Sequence, residues 1–222
     1  MIYARNCDGT RETPLPGARS QCPGCGEVVL AKCGTINVWH WAHEKDSDCD
    51  HWSEPETEWH LRWKGYFTER EREVITGPHR ADIKTKLGRV IELQHSPISQ
   101  EDIIEREQFY GKGMVWVIDA SDFIHNFNFR DKGDYYTFRW KWPRKIWSVA
   151  KRPIFLDPGE GLNEVGSLRD SLFHLKKMGE DAPVGGYGTW GCKWEFLRYF
   201  SSEATINKDF IDRICRVQWE AA

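Results

Sequence analysis

Residues 79–99 read HRADIKTKLGRVIELQHSPIS, two short β-like runs separated by Gly88, with Asp82, Glu92 and Gln94 at strand positions. Paired runs of this kind form a hairpin packed on a core, where a carboxylate is costly unless something positive accompanies it. A three-residue loop centred on Leu87 sets Thr85 opposite Arg89 and, counting outward, Asp82 opposite Glu92. Directly opposite residues share a side of the sheet. Gln94 falls on that side with Glu92, whereas Ile83, Ile91 and Leu93 point to the other,. One side of the hairpin carries chemistry and one side packs. Two facing carboxylates repel, and a hard cation such as Mg²⁺, which takes one or two carboxylates and keeps several waters, resolves that conflict. Charge alternation alone would equally describe a solvated face balanced by Lys84, Lys86 and Arg89,.

The flanking segments sharpen the choice. From Glu54 to Val74 the pattern is helical, with Ser53 placed as N-cap, Pro55 in the first turn and Trp59, Trp63, Tyr66 and Phe67 on one face,. Glu56, His60 and Lys64 then fall on a second stripe at i, i+4 and i+8,. After the hairpin, Ser99 and Asp102 fit a capping box for another helix. MVWVID, 114–119, is apolar and β-branched without alternation, as expected of a strand covered on both faces,.

Glu on a helix, Asp on a strand, Glu-x-Gln on the paired strand and then a helix resembles the PD-(D/E)XK nuclease superfamily. More narrowly, CPGCG, HWAH, PETEWHLRWK, HRADI, VIELQHSPIS and MVWVID, in that order, are similar to the competence protein CoiA-like family. The resemblance covers about residues 1–119. It implies a Mg²⁺- or Mn²⁺-dependent DNA nuclease, expected to be an endonuclease, that acts in DNA processing or recombination. By motif, Asp82 and Glu92 would hold the catalytic metal and Glu56 would be the helical acid. Gln94 stands where most of the superfamily has lysine; an amide can orient a water but supplies no positive charge, so transition-state stabilisation falls more to the metal and to Lys64. His60 would contact phosphate or hold Glu56. His95 and Ser96 match the family's QHSPIS without a role assigned to them.

Residues 1–53 are short apolar pieces broken by CDG, PLPG, CPGCG and KCG, which is turn chemistry around small hairpins,. Cys22-Pro-Gly-Cys25 can point two thiolates at one tetrahedral Zn²⁺. The other two ligands come from among Cys33, His40, His43, Cys49 and His51; His43 with Cys49 is the preferred pair and His40 the substitute. Reduced, buried cysteines without a metal are the bland alternative. A four-ligand site here would be structural, stapling a module too small for a core of its own.

A formal charge of -3 excludes a protein that coats nucleic acid by bulk attraction,. Any polyanion contact is local, and residues 130–152 offer one: Arg139, Lys141, Arg144 and Lys145, interleaved with Trp140, Trp142 and Trp147. Bases for phosphate and rings for stacking suit single-stranded or branched DNA; an edge strand with its tryptophans turned inward fits equally well. No run of about 18 apolar residues occurs, and the first residues lack a signal-peptide core, so a soluble, cytoplasmic protein with no membrane association is expected,.

The expected architecture is therefore α/β: a zinc-finger-like module over 1–53, a PD-(D/E)XK core over 54–150 built as a mixed sheet flanked by helices, and a helical C-terminal extension over 151–222. A non-catalytic zinc-containing module that binds DNA or protein in support of recombination is the alternative. A zinc-dependent adaptor whose carboxylates bind cations only for stability is a third.

Overall fold

The computed structural model describes residues 1–44, 47, 49–52, 54–159, 170–179 and 184–200. The chain separates into two compact units, Met1–Lys84 and Thr85–Ala222.

In the first unit, β1 (Ala4–Arg5), β2 (Arg11–Glu12), β3 (Arg19–Gln21), β4 (Val28–Lys32) and β5 (His40–His43) form a sheet of order β2-β1-β3-β4-β5, every neighbour antiparallel. Its core is small, namely Met1, Ala4, Cys22, Val29 and Trp41. Helix α1 (Glu58–Gly65) follows. Its N-cap is Thr57, whose hydroxyl accepts from the His60 N–H while His60 Nδ1 accepts from the Thr57 N–H, so the pair closes a capping box,. Ser53, expected as the cap, lies outside the described residues. Trp59 and Trp63 are buried as the spacing predicts.

The helix expected to run to Val74 ends at Gly65; β6 (Arg72–Thr76) and β7 (His79–Lys84) follow as an antiparallel hairpin. The acidic and basic residues of EREREV mimic helix spacing, but Val74, Ile75 and Thr76 are β-branched and fit a pleated surface better,.

The boundary expected after residue 53 does not divide these units. Glu73 on β6 accepts from the Ile2 and Tyr3 N–H groups at 2.9 and 3.0 Å, and Arg11 donates to the carbonyls of Arg72 and Glu73. Asp50 accepts from the Arg80 N–H at 2.9 Å and lies 3.1 Å from His79 Nδ1, whose ring stacks on Trp52. These polar ties join segments that turn composition alone reads as separate.

The second unit opens with the tight turn expected around Leu87. The Thr85 N–H donates to Arg89 O, the Gly88 N–H donates to Thr85 O, and Gly88 takes the left-handed conformation at φ 74° that glycine adopts without penalty,. Then come β8 (Val90–Gln94), α2 (Gln100–Tyr110), β9 (Met114–Asp119), β10 (Phe127–Asp131), β11 (Tyr136–Trp140), β12 (Ile154–Asp157), β13 (Ser171–Met178), β14 (Val184–Cys192) and α3 (Lys193–Phe200). Strand order within this unit is β10-β11-β14-β13-β12-β9-β8, with β8, β9 and β12 parallel and the remaining pairs antiparallel. The protein is thus mixed α/β, with a mixed sheet and few helices. β9 is buried along its whole length between two parallel neighbours, as its unbroken apolar run implies,. Ser99 caps α2 by accepting from the Asp102 N–H at 3.0 Å.

Two C-terminal expectations meet different outcomes. GCKWEFLRYF does form a helix, α3, from Lys193. SLRDSLFHLKKMG, read as a helix, contributes β13, since Leu172, Phe173 and Leu175 are buried in a strand with neighbours on both edges. Its residues 167–169 lie outside the described residues, but over 171–178 the extension is strand where helix was expected. No described helix is long and apolar enough to cross a membrane.

Candidate metal centre and carboxylate cluster

Four ligand atoms from Cys22, Cys25, His43 and Cys49 lie within 4.8 Å of one another in the first unit. The CPGCG turn brings the first two together: the Cys22 N–H donates to Glu27 O, the Gly26 N–H to Cys22 O, and Gly26 sits at φ 77°. Gly24 packs so near the cluster that a Cβ there would meet Cys49 Sγ at 3.3 Å. β5 delivers the histidine, and because residues three apart on a strand face opposite ways, only one of its two histidines can serve. His43 Nε2 is 3.3 Å from Cys25 Sγ, while His40 turns its Nδ1 toward Val38 O at 2.9 Å.

The donor set fits zinc. Tetrahedral bonds of roughly 2.3 Å to sulfur and 2.0 Å to nitrogen put ligand atoms roughly 3.5–3.8 Å apart, and Cys22 Sγ stands 3.6 Å from Cys49 Sγ. Burial opposes the Cys22 thiolate, but the backbone N–H groups of Cys25 and Gly24 outweigh it and lower that pKa. Burial, with the neighbouring Cys25 and Cys22, pushes the Cys49 thiol up to about 12. Clustered thiols of this kind ionise together only when a cation accompanies them.

The second cluster carries its own cation. Lys64, fully buried on α1, places Nζ 2.6 Å from Glu56 Oε1, 3.1 Å from Glu73 Oε1 and 3.3 Å from Asp82 Oδ1. The β6–β7 register pairs Arg72 with Ile83 and Val74 with Ala81, which sets Glu73 opposite Asp82. Burial works against the Lys64 ammonium, yet Glu73, Glu56 and Asp82 hold its pKa above the usual lysine range. The two buried glutamates are driven apart. Burial dominates at Glu56 and raises its pKa; at Glu73, Lys64 overcomes burial and holds the carboxyl well below its usual range. Glu56 Oε2 is buried with no partner among the described residues. His60 is buried beside the cluster with Nε2 3.0 Å from Glu54 Oε1; burial opposes its charge, but Glu54, Asp82 and Glu56 raise its pKa.

Glu73 escaped the sequence reading. It looks like one more acid in a charged run, yet it is 3% exposed and sits at φ 47°, a left-handed conformation rare outside glycine,. Strain of this sort persists where surrounding bonds over-determine it; here the Ile2, Tyr3, Arg11 and Lys64 contacts do so.

In the second unit, Glu92 and Gln94 on β8 are both buried. Arg106 of α2 reaches Glu92 Oε2 at 3.1 Å, and Gln94 Nε2 donates to Ser96 O at 2.9 Å. His95 Nδ1 lies 2.9 Å from Asp119 Oδ2 at the end of β9. Arg106 and Asp119 were also missed, since helix-surface charge and a strand-end acid are common and carry no motif.

Arg139, Lys141 and Lys145 are exposed, and Arg144 packs its guanidinium over Phe123 at 4.3 Å. Trp140 and Trp147 are core residues; Trp142 is 64% exposed with Lys141 Nζ 4.3 Å from its ring centre. The stacking expectation therefore narrows to one ring.

A Cys₃His cluster beside a small antiparallel sheet in a mixed α/β scaffold defines a protein with a candidate metal centre. The chain matches the competence protein CoiA N-terminal domain over residues 17–52 and the competence protein CoiA nuclease-like domain over residues 58–137, and it belongs to the CoiA family. No curated protein and no solved structure matches it.

Proposed function

We propose that this protein is a metal-dependent deoxyribonuclease with a structural zinc site, the nuclease region taking the PD-(D/E)XK arrangement. The observation that carries this reading is the convergence of Glu56, Glu73 and Asp82 on one buried ammonium; Lys64, Glu73 and Asp82 lie within the segment matched to a nuclease-like domain, and Glu56 stands two residues before it. Carboxylates are the donor chemistry a hard cation takes, and the orphaned Glu56 Oε2 leaves one buried acceptor to be satisfied,. Asp82 and Glu92 are each assigned, by motif alone, as a ligand of Mg²⁺ or Mn²⁺,. When bound, such an ion polarises a phosphodiester and lowers the pKa of a coordinated water.

The chain's own residues prepare that chemistry. Lys64 and Arg106 fix the rotamers of Asp82 and Glu92 through charge-assisted hydrogen bonds,. Glu56, whose pKa is raised by burial, takes up a proton more readily than an ordinary carboxylate, as a general base must,. Gln94 donates to Ser96 O and holds the strand end that presents Glu92. Cys22, Cys25, His43 and Cys49 would hold Zn²⁺ and staple the small sheet.

The same two ion pairs favour a second reading, in which the carboxylates serve only packing and the protein binds DNA without cutting it. Supercoiled plasmid, single-stranded DNA and a branched duplex, each incubated with Mg²⁺, Mn²⁺ or EDTA, separate the two. The nuclease reading expects metal-dependent cleavage that Glu92→Ala lowers at least about 10²-fold. Binding without cleavage under every metal would leave the second reading standing.

A further inference from the structure

Two cavities of the second unit share Ser148, Ala150, Lys151 and Arg152 in their linings. The smaller, about 420 Å³, is lined by Lys151 and Arg152 and, from β13, by Lys176 and Lys177, with no carboxylate among its described lining residues. None of these four side chains forms an ion pair among the described residues.

The placement of the two β13 lysines is built into the sheet. Consecutive residues on a regular strand point to opposite sides. Here the ladder with β14 shifts register: Leu175 faces Gly188 and Lys177 faces Tyr187, leaving Lys176 as the extra residue of a bulge. A bulge re-aims side chains, and both lysines are exposed and line the same cavity. Glycines on β14 permit it, since a Cβ at Gly188 would collide with His174 O and one at Gly186 with Lys177 O.

The opposite wall is fixed as well. Buried Glu107 accepts from the Lys151 N–H at 2.8 Å and the Arg152 N–H at 3.0 Å. Arg152 Nε is buried without a partner among the described residues, a donor left to be satisfied,. His174, which lines the cleft, has its pKa pushed down to about 4 by burial and by Lys176, so it adds no charge at neutral pH.

We propose that this cleft is a track for the phosphate backbone of nucleic acid, with Lys151, Arg152, Lys176 and Lys177 as its cations; the proposal rests on the nuclease reading above. Four cations on two facing segments suit successive phosphates better than a single small anion. A chain of net charge -3 must concentrate such attraction locally,. The cleft is distinct from the Arg139–Lys145 stretch named by the sequence.

The test uses the full chain, the Lys176→Gln/Lys177→Gln double variant and a separate Lys151→Gln variant, each checked for an unchanged melting midpoint. Anisotropy of a fluorescein-labelled single strand and of the matching duplex is measured across a KCl series. For the double variant the proposal expects roughly tenfold weaker single-strand binding near 0.1 M salt, and a salt slope shallower by about 1.4 for two lost phosphate contacts. Lys151→Gln, which keeps the test open should the double variant not fold, is expected to lose about half as much slope. Wild-type slope in both variants, alongside ordinary wild-type binding, overturns the cleft and leaves the nuclease reading intact. A wild-type protein that binds neither DNA overturns both.

Discussion

Two clusters in the first unit meet the same electrostatic problem in opposite ways. At Cys22, Cys25, His43 and Cys49 the ligand atoms crowd within 4.8 Å with no positive side chain among them. At Glu56, Glu73 and Asp82 the charge is answered from within, by Lys64. One cluster has the donors to take an ion from solution; the other is held by its own chain. The thiol cluster should therefore respond to chelators, the carboxylate cluster to substitution of a single lysine.

The largest effect expected is at the thiol cluster. Zinc binding is folding free energy for a module this small, with structural sites worth about 10–16 kcal/mol in finger peptides. One Zn²⁺ per chain should be found by elemental analysis, and Cys25→Ser should lose it while His40→Ala keeps it, because His40 points to Val38 O. Stripping the metal should unfold the five-stranded sheet, read as loss of near-UV signal from buried Trp41. Zinc retained in Cys25→Ser would mean that the ligand set is a different one.

A smaller loss is expected where the cation is internal. Lys64→Met removes the ammonium that all three carboxylates contact, leaving Arg80 and the N-terminal ammonium as the nearby positive charge, and should lower stability by about 3–5 kcal/mol, unaffected by chelators. The pH dependence carries a sign. Glu73 has its pKa depressed in the fold, so its contribution is full above the unfolded glutamate value of about 4.3 and is lost as pH falls toward the folded value. The stability gap between wild type and Glu73→Gln should then shrink in that acid window. Glu56, raised by burial, works oppositely: its contribution is full below the unfolded value and lost as pH rises through the folded one. A gap for Glu73→Gln that widens in acid would place the ionised carboxyl on the wrong residue.

The same contrast explains what could be read from the chain beforehand. Cys22 and Cys25 announce themselves by local spacing, whereas the sequence leaves the other two ligands open among Cys33, His40, His43, Cys49 and His51, with His43 and Cys49 only preferred. The turn around Leu87 was legible because Gly88 supplies the left-handed position such a loop requires. Glu73 was not legible, because its meaning comes from Ile2, Tyr3 and Lys64, which are distant in sequence. Residues 72–74 and 171–178 were misread for a related reason: ERE and HLKK imitate helical spacing, whereas strand neighbours on β7, β12 and β14 decide their state. Local propensity is a weak prior that tertiary pairing overrides.

The smallest stability effect is expected at Trp142, where internal and external satisfaction can be compared on one ring type. Trp140 and Trp147 are satisfied by the core, and truncating either should cost about 3–5 kcal/mol. Trp142 is 64% exposed, with Lys141 over its ring in a cation–π contact, so Trp142→Ala should move stability by less than about 0.5 kcal/mol. If the exposed ring serves a ligand from solution, the same variant should weaken single-strand binding by about 1–3 kcal/mol, the worth of one base stacked on an aromatic. Because β11 is paired on both sides, by β10 and β14, it is not the edge strand the sequence offered as an alternative; unchanged affinity in Trp142→Ala would leave Arg139, Lys141 and Lys145 as solvating charge.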